Sequence, residues 1–212
     1  MEVYGEIPQK YTKEWWDYIW YYYKWHILST VFAVVMIVTC FQQCANRPSY
    51  DLQIAMITEE EFYLTQTEGL KSLAESVISD ATGNGENEVY ILPIHMSDES
   101  DATTVQTGFA RFTAEMAVPE SYVFIVSRHY GDIVLKNEML ESTDVWADGA
   151  ESDGYLVSLK GNEKLKEIGI DSDSVELYLG VVKLFENRKG DELEKERHEN
   201  GVRFSRYLLG LE

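Results

Sequence analysis

Residues 25–46 contain no Lys, Arg, Asp or Glu. As a helix these 22 residues are about 33 Å long, and the hydrocarbon core of a bilayer is about 30 Å thick. The centre of the run reads ILSTVFAVVMIVTCF, with Ser29, Thr30 and Thr39 as its polar groups. Such hydroxyls bond back to carbonyls of their own helix. A buried helix of a soluble protein shows a polar stripe, and this run has none. It therefore reads as a transmembrane helix over residues 25–46.

The stretch before it reads WWDYIWYYYKWH, and four of the five tryptophans lie within residues 15–25. Trp and Tyr rings favour the membrane interface, apolar body inward and polar tip toward water. Residues 1–24 are thus expected to form an aromatic interfacial segment on the cytoplasmic side, which could lie in the headgroups before turning inward. Lys10, Lys13 and Lys24 precede the span, and Arg47 alone follows it closely. The positive-inside rule then places the N-terminus in the cytoplasm and residues 48–212 outside the cell. A cleaved signal peptide fits less well, because its charged region would be long and contain acids. Lipoprotein processing needs a small residue before the cysteine, and Thr39 precedes Cys40 while Gln43 precedes Cys44. These two cysteines lie one helical turn apart. They read as packing residues at the membrane edge, with acylation or an interchain contact left open.

Charge divides the chain as sharply as hydropathy does. Residues 1–47 hold Glu2, Glu6, Glu14 and Asp17 against Lys10, Lys13, Lys24 and Arg47, so the whole net charge of −19 falls on residues 48–212. That surface repels phosphate backbones and anionic headgroups, which excludes nucleic acid as a partner. It favours solubility and divalent or basic partners. The outer segment has no cysteine, so it folds without disulfides, as many bacterial surface proteins do.

Within residues 48–212 strand and helix patterns alternate. Pro48 is expected to end the membrane helix. Residues 51–57 alternate as a strand, and residues 59–80 place Leu70, Leu73, Ala74 and Val77 at helical spacing. Residues 88–94 form a second strand with Pro93 near its end. Residues 101–118 form a helix with Val105, Phe109, Phe112 and Met116 on one face. Residues 122–126, YVFIV, read as a central strand buried on both sides. A short helix over 133–140, an acidic loop over 144–154, a short strand over 155–159 and a short helix over 163–168 follow. A strong strand over 175–182 and a last helix carrying Phe204, Tyr207 and Leu208 close the chain. The expected fold class is α/β: one N-terminal transmembrane helix, then a three-layer α/β domain with a mixed, largely parallel sheet.

The opening βαβαβ pattern and the run from Gly154, GYLVSLKGNEKLKEIGIDSDSVELYLGVVKLFENRKGDELEKERHENGVRFSRYLLG, resemble bacterial extracellular solute-binding proteins of the periplasmic type. In that family a strand is followed by an Asn-rich turn and a helix ending Phe-x-x-Tyr-Leu. Residues 177–182, Asn187 and residues 204–208 match those parts here. The Tyr-Tyr-Lys-Trp-His run before the span also resembles membrane-anchored proteins of gut Firmicutes. The resemblance implies a solute-binding-like module, in a chain about half the length of a two-lobed member.

Catalytic motifs are absent: no Gly-x-Ser-x-Gly, no phosphate-binding loop, no Gly-x-Gly-x-x-Gly and no His-Glu-x-x-His. His95, His129 and His198 form no metal-ligand spacing and read as ordinary loop or surface histidines. Asp144, Asp148, Glu151 and Asp153, and Asp171 with Asp173, do not match a calcium loop. No metal, cofactor or enzymatic activity is expected. Ligands of α/β sheets bind at the carboxyl ends of strands. The candidate ligand-binding residues are therefore Thr58 and Glu59, after the first strand, and Ser127, Arg128 and His129, after the third. A carboxylate or other anion would suit Arg128 and the helix N-termini there. The expected function is a non-enzymatic, membrane-anchored extracellular module that binds a small solute, peptide or protein partner. A structural subunit of a membrane complex and a hydrolase with an unrecognised site are the alternatives.

Overall fold

The computed structural model describes residues 9–45, 49–97, 100–150 and 152–211. Arg47, Pro48 and Glu151, each used in the reading above, lie outside the described residues, as does the side chain of Cys44. The chain divides into two compact units, Met1–Pro48 and Ser49–Glu212.

The first unit is one helix, α1 (Lys13–Ala45), of 33 residues and about 50 Å. The aromatic stretch and the apolar run belong to the same unbroken helix, so the chain does not turn between them. Helical hydrogen bonding simply continues, because no Gly or Pro interrupts residues 13–45. Ser29 Oγ donates to the His26 carbonyl at 3.1 Å and Thr39 Oγ1 to the Met36 carbonyl at 2.9 Å, which satisfies both hydroxyls inside the helix. Lys13–Gln42 is long and apolar enough to cross a membrane, and none of its most apolar stretch is buried by protein. Cys40 is a free, exposed thiol.

The second unit is a mixed α/β domain. It comprises β1 (Leu52–Thr58), α2 (Leu64–Glu75), β2 (Val89–His95), α3 (Ala102–Ala117), β3 (Val123–Ser127), α4 (Arg128–Lys136), α5 (Thr143–Trp146), β4 (Val157–Ser158), α6 (Glu163–Glu167), β5 (Leu177–Val181) and α7 (Glu192–Leu208). The five strands form one sheet in the order β2-β1-β3-β5-β4. β1 pairs in parallel with β2 (Ile54 opposite Ile91) and with β3 (Ile54 opposite Val123). β5 runs antiparallel to both β3 and β4. The sheet thus has two parallel and two antiparallel pairings.

Every residue of β3 is buried, as its continuous apolar run requires. α7 lies against β1 and β3 through Gly201. A Cβ there would stand 3.1 Å from Tyr122 Cβ and 3.3 Å from Val123 Cγ2. Asn200, fully buried, ties α7 to the chain after α2. Its side chain donates to the carbonyls of Ser79 (2.7 Å) and Asp51 (3.2 Å) and accepts from Ser79 N (3.0 Å). Asp51, also fully buried, accepts from the backbone N–H groups of Ala81, Thr82 and Glu88 at 2.7–2.8 Å. The two side chains together latch the 79–88 loop to the start of β1. Tyr122 donates to Glu194 at 2.8 Å. Burial, reinforced by that carboxylate, pushes its hydroxyl up to about 12, so it stays a donor.

Three local expectations shift. The buried face of α3 is Gly108, Phe112 and Glu115, whereas Phe109 is 63% exposed. Docking through a glycine turned the helix away from its most apolar stripe. α4 starts at Arg128, directly after β3, rather than near residue 133, with Gly131 and Val134 on its buried side. The acidic stretch after residue 143 opens with the one-turn α5, whose Trp146 is almost fully buried and whose Trp146 carbonyl accepts from Arg206 at 3.2 Å. One large apolar side chain outweighs the local charge there.

Candidate functional site

The parallel half of the sheet brings strand ends together. Thr58, the last residue of β1, stands opposite His95, the last residue of β2. A cleft of about 380 Å³ opens over this pair, beside the first turns of α3. Thr103, Thr104, Thr107, Gly108 and Arg111 of α3 form one wall, at the spacing of a single helix face. Met56 and Thr58 of β1, residues 93–95 of β2 and residues 60–62 of the chain after β1 complete the lining.

Each part has a local cause. Thr58 Oγ1 donates to the Glu60 carbonyl at 2.8 Å, and the Thr58 carbonyl accepts from Met96 N at 3.0 Å. These bonds turn the chain after β1 and seat the chain after β2 on it. Gly108 allows α3 to lie on β2, since a Cβ would meet the His95 carbonyl oxygen at 2.5 Å. Asp101 caps α3 by accepting from Thr103 N (2.9 Å), Thr104 N (3.1 Å) and Thr104 Oγ1 (2.6 Å). The Thr104 hydroxyl, then its backbone N–H, hold the Asp101 carboxyl below its ordinary value. The positive end of α3 is therefore already occupied by a carboxylate of the chain itself.

His95 is the unusual group. Its Nε2 lies 3.0 Å from Ser100 Oγ, while its Nδ1 is buried with no hydrogen-bond partner among the described residues. A buried polar atom left unpaired costs about 1–3 kcal/mol, so such atoms point to a water or ligand. Arg111 donates weakly to the Pro93 carbonyl at 3.5 Å, and among the described residues it forms no ion pair.

The residues expected from sequence separate. Thr58 lines the cleft; Glu59 is exposed next to it and does not. Ser127 is buried at the N-cap of α4, and among the described residues its side chain caps nothing and its Oγ has no partner. Arg128 is about half exposed, lies 3.6 Å from Asp132 and stands over the Tyr178 ring at 5.2 Å. His129 is exposed, its ring edge-on to Tyr130 at 5.1 Å. The Tyr130 hydroxyl donates to the Met96 carbonyl at 3.0 Å, joining α4 to the chain leaving β2. The cleft thus gathers the ends of β1 and β2, where the sequence reading had paired β1 with β3, and its cation is Arg111 rather than Arg128. Sequence reasoning missed His95, Arg111 and the threonines of α3. Their signal was faint: a polar stripe on a helix otherwise read by its apolar one, and a histidine closing a strand. Among the described residues no group of three His, Cys, Asp or Glu side chains is placed to hold a metal. No protein-family model, curated protein or solved structure matches this chain.

Proposed function

We propose that α1 anchors the chain in a membrane as a single span, with the N-terminus cytoplasmic and the acidic α/β domain outside. The domain acts as a non-enzymatic, solute-binding-like or accessory module. Its ligand enters the cleft at the carboxyl ends of β1 and β2. The anchor reading is supported by an apolar helix that no protein buries and by the three bases that precede the span. Helix pairing supports a three-layer domain. α7 is tied to the chain that follows α2 through Asn200 and Ser79, and the Phe112 and Tyr130 rings of α3 and α4 meet at 5.8 Å. The parallel trio β2-β1-β3 is the part of the sheet closest to a largely parallel architecture.

The observation that carries the ligand reading is the cleft of about 380 Å³ at the carboxyl ends of β1 and β2, a size within the usual range for small-molecule sites. Ligand binding to the folded state raises the melting temperature by mass action, by about 2.7 kcal/mol of stability at a hundredfold excess over Kd. A metabolite and peptide screen on the full chain in detergent is expected to find stabilising ligands. Thr107→Trp, on an exposed face of α3, is expected to fill the cleft and remove that stabilisation without lowering the ligand-free melting point. If nothing stabilises the domain, the reading as a structural subunit replaces this one.

The hydrolase alternative has one observation in its favour, the 3.0 Å contact of His95 Nε2 with Ser100 Oγ. A nucleophilic serine also needs its base held by a third group, and Nδ1 has none among the described residues. Treatment with a fluorophosphonate is expected to leave Ser100 unlabelled; covalent labelling there would make the protein an acyl-transfer enzyme.

A further inference from the structure

We infer that the cleft takes a small zwitterion: one molecule, of amino-acid to tripeptide size, carrying both a free ammonium and a free carboxylate. The inference rests on the ligand-cleft reading and goes on from it to the chemistry of the occupant.

Charges of both signs line the cleft, and among the described residues none of them forms an ion pair. Arg111 projects from the α3 wall, and its one bond among the described residues is the 3.5 Å contact with the Pro93 carbonyl. Glu60 and Glu61 line the same cleft, are exposed, and make no ion pair among the described residues. Exposed charges of opposite sign gain little by pairing in water, so these side chains are left to solvent or to a ligand. Arg111 belongs to α3 and the two glutamates to the chain after β1, so a molecule that carries both charges would satisfy both.

Charge also excludes the simpler occupants. A plain anion would meet Arg111 favourably but would face Glu60 and Glu61 within a domain of net charge −19. The helix N-terminus, which would otherwise attract it, is filled by Asp101. A plain cation would suit the two glutamates but leave Arg111 unpaired in the same space. A zwitterion places its carboxylate on the forked guanidinium of Arg111, a geometry that accepts two parallel hydrogen bonds. Its ammonium then meets Glu60 and Glu61. Between them, Met56, Phe62 and Pro93 supply apolar contact.

The test uses the full chain in lipid nanodiscs and ligand-observed NMR. The probes are free amino acids, dipeptides and tripeptides, each beside its N-acetyl and its C-amide form, with dicarboxylates, polyamines and neutral sugars as further sets. Binding is expected where both ends are free and to weaken about tenfold or more when either end is blocked, the scale of one charge-assisted hydrogen bond. In Arg111→Gln the free acid and its amide should bind equally weakly. In the double variant Glu60→Gln, Glu61→Gln the free amine and its N-acetyl form should do so. All three side chains are exposed, so the variants should melt as the parent does. Binding of dicarboxylates, polyamines or sugars in place of zwitterions, or indifference to end-blocking, overturns the zwitterion inference while the ligand cleft stands. Absence of binding by every set overturns both.

Discussion

Phe32 of α1 and Phe124 of β3 occupy almost the same local sequence, Val-Phe-Ala-Val against Val-Phe-Ile-Val. Yet Phe32 is 66% exposed and Phe124 is fully buried. In the domain, the sheet's neighbours cover the apolar run. In α1 none of the most apolar stretch within Lys13–Gln42 is buried. The lesson is that apolar content says how much surface must leave water, and only the partner decides where it goes. In one region that partner is the rest of the fold; in the other, on the reading proposed here, it is lipid.

The largest effect should separate these two regions directly. Phe124→Ala removes a fully buried ring from the central strand and is expected to cost about 3–5 kcal/mol in denaturant unfolding of residues 49–212. Phe32→Ala in the full chain should leave the unfolding of the domain unchanged. Equal losses from the two would mean that the domain core and α1 unfold as one unit.

A second effect sharpens the picture of how the domain closes on itself. Asp51 accepts three backbone N–H groups while fully buried, so Asp51→Ala strands all three. Loss of about 3 kcal/mol is expected, with earlier hydrogen exchange at Ala81, Thr82 and Glu88. Unchanged protection at those amides would show that the 79–88 loop is held otherwise.

A smaller effect concerns Glu115, buried on α3. Burial is the main cause that raises its carboxyl above the ordinary 4.5, against the N–H groups of Ser121 and Glu120, which pull it down. A raised folded value means that its stabilising contribution is fully present below pH 4.5 and is lost as pH rises through the folded value. Glu115→Gln should therefore melt slightly higher than the parent at neutral pH, with the gap closing as pH falls below 4.5. A gap that widens on acidification would reverse the assignment.

The smallest effect is expected at Arg128. Its ion pair with Asp132 is exposed, and such pairs contribute about 0–1 kcal/mol. Arg128→Ala should leave both the melting temperature and ligand binding in the cleft near parental values. A clear loss of binding would move the site back to the ends of β1 and β3.

How far the sequence could be read follows from the range of the forces involved. The first and third strands were legible from their apolar residues, β3 as a continuous run, although β1 proves buried on both sides rather than alternating. The capped start of α3 was legible in Asp101. The face of α3 was not, because Gly108 meets the carbonyl of His95 thirteen residues earlier, and that contact has no periodic signature. The early start of α4 was hidden because Ser127 is both the last residue of β3 and the N-cap of the helix. Of the candidate site, Thr58 was within reach through the strand-end rule. Arg111 and His95 needed knowledge of which helix lies over which pair of strands.

The central claim is that lipid covers α1 while residues 49–212 cover themselves. It is tested most directly by placing a specific protease site between residues 45 and 49 and cleaving the protein in sealed, right-side-out membranes from outside. The account predicts that the domain is released into solution, melts cooperatively and shows no exposed apolar surface to a hydrophobic dye, while α1 stays in the membrane pellet after alkaline washing. A domain that remains with the pellet, or leaves it unfolded, or an α1 that washes free, would contradict the account.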